Sequence, residues 1–158
     1  MCLLSQRRRR AKGQAGCVDY FLEVPLCAFP MNIYLSKAFT RLSRHNGLTD
    51  IHICQAINEM NEGLIDADLG AGLFKKRIAM PGQGKRGGWR SILAFQVGNN
   101  KAFFLYLFPK SRRESIDVAE LKALKRLSRY YLTLEPAEIK AALQCGELRE
   151  VTCNDKTI

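Results

Sequence analysis

The stretch from Leu73 to Phe108, which reads LFKKRIAM PGQGKRGG WRSILAFQV GNNK AFFLYLF, decides the fold. Its middle segment alternates. Trp89, Ser91, Leu93, Phe95 and Val97 face one way, and Arg90, Ile92, Ala94 and Gln96 face the other, the two-residue period of a strand. Leu73–Met80 reads as a second strand with Lys75 and Arg77 on one face and Lys76 on the opposite one. Ala102–Phe108 is almost wholly apolar, as expected of a strand covered on both faces. Pro81–Gly88 reads as a glycine-rich loop and Gly98-Asn99-Asn100 as a hairpin turn. Three consecutive strands joined by short loops predict an antiparallel sheet.

Upstream, Asn32–Leu35 predicts a short strand. Ser36 can cap a helix reaching Arg44, with Leu35, Phe39 and Leu42 on one face. Thr49 or Asp50 caps a second helix to about Glu62, with Ile53, Ile57, Met60 and Leu64 at helical spacing. The pair forms a helical hairpin, and His52 on it reads as a surface residue. Asp66–Gly72 reads as a turn-rich connector. Downstream, Ser115 or Asp117 caps a third helix whose Leu121, Leu124, Leu127 and Tyr131 point inward. Thr133 caps a fourth helix, Leu134–Cys145. Glu147–Ile158 reads as a weakly patterned tail. The fold class is α+β: an N-terminal helical hairpin packed on a small twisted antiparallel sheet, followed by C-terminal helices.

The 158 residues fit one domain and carry 25 Lys and Arg against 15 Asp and Glu, a formal charge of +10. The charge is concentrated. No acid occurs in Leu69–Arg113, which holds Lys75, Lys76, Arg77, Lys85, Arg86, Arg90, Lys101, Lys110, Arg112 and Arg113. A surface that is merely solvated mixes both signs, so a one-sign segment implies a field directed at a polyanion, nucleic acid first. No apolar run approaches the length of a membrane span.

Residues 1–30, with Arg7–Arg10 and three of the six cysteines, differ in texture from the rest of the chain. They read as a basic nucleic-acid arm, a disordered tail or an upstream start translated in error, and the patterned segment opening at Met31 is the expected natural start. Domain limits are accordingly 1–30 extension, 31–151 domain and 152–158 tail. Cys2, Cys17, Cys27, Cys54, Cys145 and Cys153 form no C-x-x-C pair, so a zinc or other metal site is not expected. Free thiols in a reducing cytoplasm are expected instead.

The loop Gly82-Gln-Gly-Lys-Arg-Gly-Gly-Trp-Arg90 matches G-x-G-x-x-G in form only. A strand comes next where a helix is required, and no acid stands downstream to hold a ribose. It is no phosphate-cradling P-loop either: Ala79 stands where the first glycine belongs and Arg86 where Ser or Thr belongs. No nucleotide cofactor is therefore expected. Two readings remain open for it, a backbone that approaches phosphate closely and a hairpin loop with incidental cations. Trp89 could stack on a base, but its alternation with Leu93 and Phe95 favours the core. Lys75 and Arg77 share a face, Arg90 lies on the next strand, and Lys110–Arg113 come after the third, so cations from all three strands can converge on one phosphate. A lysine crowded by like charges loses its proton more readily and can act as a general base. Arginine stabilises developing charge.

Gly63–Arg77, Pro81–Arg90 and the segment Phe-Pro-Lys-Ser-Arg-Arg-Glu-Ser-Ile at Phe108–Ile116 resemble RelE/HigB-type toxins of bacterial toxin–antitoxin systems, in the branch with a G-x-G-K-x-G-G-x-R loop. The resemblance covers about Met31–Val151. It implies a RelE-like fold and cleavage of messenger RNA in the ribosomal A site, where a ribose 2′-OH attacks the adjacent phosphate. It implies that Arg90 stabilises the pentavalent phosphate, that Lys75 acts as a catalytic lysine, and that Lys110 and Arg113 aid the leaving group. Lys75 and Arg77 would ground the RNA, and Lys76, Lys85, Arg86 and Arg112 are further RNA-binding candidates by their charge. It also implies a cognate antitoxin, often of helix-turn-helix type. Two departures stand out: Ser111 succeeds Lys110 where family members carry an arginine, and no tyrosine lies between Phe108 and Tyr130. Two other functions compete, a gyrase-targeting toxin of the ParE type without catalysis and a basic RNA-binding module.

Overall fold

The computed structural model describes residues 31–154 apart from Pro81, Gln83 and Glu114, and of Met80, Lys85, Arg86 and Val97 it describes the backbone alone. The expectations for residues 1–30 lie outside the described residues. β1 (Asn32–Ser36) ends on Ser36, whose hydroxyl accepts the Phe39 N–H and so caps α1 (Lys37–His45). The chain turns through positive-φ Gly47 into α2 (Asp50–Asn61), where His52 Nδ1 accepts the Thr49 N–H at 3.1 Å. His52 is thus a capping residue.

Six strands form one sheet: β2 (Ala67–Gly70), β3 (Leu73–Met80), β4 (Gly84–Gln96) and β5 (Lys101–Pro109) run as an antiparallel meander, continued by β1 and β6 (Leu148–Val151) in the order β2-β3-β4-β5-β1-β6. Because β1 pairs parallel with β5, Tyr34 opposite Phe103, the sheet is mixed and not purely antiparallel as expected. β2 and β6 correct two further readings, since each is an edge strand too short and too polar to announce itself. The glycine-rich loop is also shorter than expected. β4 already begins at Gly84, the turn falls at Gly82 with φ +80°, and the register shift leaves Ala79 opposite the stretch 85–88. Gly88 is glycine for packing, because a Cβ there would meet the Ile78 carbonyl oxygen at 2.1 Å.

The sheet is covered on both faces. Consecutive β5 residues show this: Phe104 packs on Phe39 of α1, and Phe103 stacks on Tyr131 of α3 (Val118–Leu132). The second core joins Leu73, Ile92, Ala94 and Phe103 to Leu124 of α3 and Ile139 of α4 (Pro136–Gln144). Asp117 caps α3, and Glu135 with Pro136 at the first helical position starts α4 two residues later than expected. Leu127, expected inward, is 43% exposed. A disulfide joins Cys54 of α2 to Cys153, just beyond β6, with Cα atoms 5.7 Å apart. Free thiols were expected at both positions. The sequence separation of 99 residues hides this pairing from any local reading, and only the folding of β6 beside β1 brings the two together. Cys145 is free and exposed.

Candidate nucleic-acid interface

The β3–β4 register sets Arg77 directly opposite Arg90 and Lys75 opposite Ile92. The β4–β5 register continues the rows, with Phe108 opposite Arg90 and Tyr106 opposite Ile92. Lys75, Arg77, Arg90, Tyr106 and Phe108 therefore share the sheet face that α3 covers further along. Like charges placed directly opposite are destabilising in an antiparallel pair, so this row is not what stability alone would select.

Arg90 is 8% exposed, and its Nη1 has no hydrogen-bond partner among the described residues. Buried arginines are ordinarily paired. A buried donor left unsatisfied costs about 1–3 kcal/mol, and more when it is charged. A phosphate oxygen is the natural partner for such a group.

Its neighbours are held by acids from outside the acid-free stretch. Asp66 accepts the Arg77 backbone N–H at 2.7 Å and its Nε at 2.9 Å. Burial pushes the Asp66 carboxyl up, but those hydrogen bonds and the charges of Lys76 and Arg77 outweigh it, and the net shift is downward. Arg113 donates to both carboxylate oxygens of Glu120 and lies with Cζ 5.4 Å from the Phe108 ring centroid. These hydrogen bonds, with that from the Asp117 N–H, bring the Glu120 carboxyl down to about 2. The Lys110 N–H donates to the Gly88 carbonyl at 3.3 Å, which continues the β4–β5 ladder and brings Lys110 beside the same end of the sheet. Arg112 is exposed on the turn just beyond β5. Lys85 and Arg86 lie on β4 itself and not in a free loop.

Lys76 is not part of this cluster. It projects to the opposite face, is 2% exposed, and sits 2.7 Å from Glu59 of α2 while its Nζ donates to the Leu64 carbonyl. Lys101 is also occupied, donating to the Leu134 carbonyl at 3.1 Å. Trp89 is buried, as its alternation suggested. Tyr106, which the apolar texture of its strand assigns to the core, does pack against it, and it also borders the cluster. It is half-buried in the row beside Lys75, its ring lies 6.0 Å from Phe108, and its period-two relation to Phe108 is the signal in the sequence.

A family model described as the RelE toxin of the RelE / RelB toxin–antitoxin system matches residues 31–151. The chain belongs to the RelE toxin family. No curated relative matches it. Membership in the RelE family implies an antitoxin as partner. No helix among the described residues is long and apolar enough to cross a membrane, and no group of histidines, cysteines and acids among them could hold a metal ion.

Proposed function

We propose that this RelE-family chain is a ribosome-dependent endoribonuclease that cuts messenger RNA in the A site and is silenced by a cognate antitoxin of helix-turn-helix type. The observation that carries the reading is Arg90: nine-tenths buried, lacking a partner on Nη1 among the described residues, and set opposite Arg77. Such a group stabilises charge that appears only when a phosphate becomes pentavalent. In the reaction a ribose 2′-oxygen forms a bond to the adjacent phosphorus and the bond to the 5′-oxygen breaks, leaving a 2′,3′-cyclic phosphate. The proton of the 2′-OH goes to Lys75, and the departing 5′-oxygen takes a proton from Lys110 or is stabilised by Arg113. Arg77, Lys85, Arg86 and Arg112 hold the strand. Because ribosome and messenger are the target, the site of action is the cytoplasm.

Induced expression is expected to arrest growth, with RNA ends mapping to codon-positioned cuts, and Arg90→Ala to relieve the arrest while the protein still folds. Full toxicity in Arg90→Ala would move the catalytic site elsewhere. DNA damage without such cuts would favour a gyrase poison. Salt-sensitive RNA binding with harmless induction would favour a plain binding module.

A further inference from the structure

Arg113 lies on the connector between β5 and α3, where a long side chain would ordinarily sample many rotamers. Here it does not. Its Nε donates to the Ser115 carbonyl at 3.0 Å, its Nη1 to Glu120 Oε1 at 3.2 Å, and its Nη2 to Glu120 Oε2. The guanidinium lies over Phe108, the residue opposite Arg90 in the ladder. Glu120 is itself fixed to α3: its Oε2 accepts the Asp117 N–H at 3.1 Å, and its own N–H donates to Asp117 Oδ1 at 2.8 Å. Of the five N–H donors of a guanidinium, this leaves one on each terminal nitrogen without a carboxylate contact.

The geometry points to Glu120 as a positioning residue, whose carboxylate fixes the Arg113 guanidinium over Phe108 so that it meets an RNA phosphate beside Arg90 already aligned. This rests on the reading of the Arg90 end as the phosphate site. A purely structural role for Glu120 would be to close the cap of α3. Glutamine performs that task as well as glutamate. Gripping both terminal nitrogens of a guanidinium needs two carboxylate oxygens. The side-chain amide therefore separates capping from bracing.

The test uses the purified full chain and ribosomes programmed with messenger RNA, reading the single-turnover cleavage rate, the half-saturating concentration and the unfolding temperature. Glu120→Gln is expected to keep the unfolding temperature and the half-saturating concentration. Its saturated rate is expected to fall about tenfold, since small misplacements of a positioned group have effects up to about a hundredfold. Added to Arg113→Ala, it is expected to cause no further loss, because the two act as a unit. Arg113→Lys keeps the charge but not the fork and is expected to lose about as much as Glu120→Gln. A wild-type rate in Glu120→Gln or Arg113→Lys overturns the proposal. So does a further tenfold loss when Glu120→Gln is added to Arg113→Ala. Arg90→Ala reports on the site separately: a wild-type rate there overturns the phosphate site whatever Glu120 does.

Discussion

Two buried cations on the same sheet, Lys76 and Arg90, have opposite surroundings. Lys76 faces α2 and is saturated: Glu59 at 2.7 Å, the Leu64 carbonyl at 2.9 Å and Asp66 at 3.8 Å. Arg90 faces the other way, opposite another arginine, with Nη1 unpartnered among the described residues. The α2 side carries two more ties, the Cys54–Cys153 disulfide and the Asp50–Arg149 ion pair. One region is built to stay closed on itself, and the other holds charge ready for something outside the chain. Ten cations without a local acid thus divide by what the fold brings to them, not by their place in the sequence.

The largest expected effect falls on the closed side. Replacing both Cys54 and Cys153 by alanine opens a loop of 99 residues, which on chain-entropy grounds lowers stability by about 5 kcal/mol. Urea unfolding in the absence of reductant measures it, and RNA binding per folded molecule is expected to be unchanged. A loss below about 1 kcal/mol would mean that packing and ion pairs hold α2 without the bond. Next is Lys76→Met, which removes the cation from a mostly buried carboxylate and is expected to cost about 3 kcal/mol, again without altering RNA binding. If RNA binding weakens in proportion to loss of charge, Lys76 belongs to the interface after all and the division fails.

Arg90→Met is expected to do the reverse. It orphans no carboxylate and removes a buried unsatisfied donor, so stability should hold or rise, by up to about 1–3 kcal/mol, while cleavage falls about a hundredfold. Inorganic phosphate sharpens the contrast. An anion that binds only the native state raises its unfolding temperature, so phosphate is expected to stabilise the wild type and not Arg90→Met. Equal stabilisation of both would remove Arg90 from the anion site.

Much of the open region was legible in the chain, because period-two alternation is a local property. The strand 73–80, most of the strand expected over 89–97 and the shared face of Lys75 and Arg77 came from it directly, whereas the face of Arg90 relative to theirs is set by the β3–β4 register. What decided the closed region was not local. Glu59 and Asp66 lie outside the acid-free stretch and reach back into it only through the fold, as Glu120 does on the open side. The parallel pairing of β1 with β5, the edge strand β6 and the disulfide rest on contacts between distant segments that no periodicity records. Capping was legible where the residue types allowed it, at Ser36 and Asp117. Arg113 was flagged for its charge, but its seat over Phe108 depends on how the 110–117 connector turns.

Asp66 joins the two regions, and so gives the smallest but most discriminating effect. It holds Arg77 on the open side by two hydrogen bonds and stands 3.8 Å from Lys76 Nζ on the closed side. Its folded pKa is depressed: burial alone would raise it, but the Arg77 hydrogen bonds and the two cations prevail. A depressed carboxylate contributes stability that is present above its unfolded pKa and is lost as pH falls through the folded one. The contribution of Asp66 should therefore be complete at neutral pH and fade below about pH 4, the ordinary aspartate range. Asp66→Asn is expected to lose about 1 kcal/mol or less at pH 7 and to show a flatter stability profile below about pH 4. Its RNA affinity should rise slightly, because the arginine opposite Arg90 is no longer neutralised, and the rise should shrink with added salt. If stability drops as far as in Lys76→Met and RNA affinity does not move, Asp66 serves the closed side alone, and Arg77 is held for the fold and not for the phosphate.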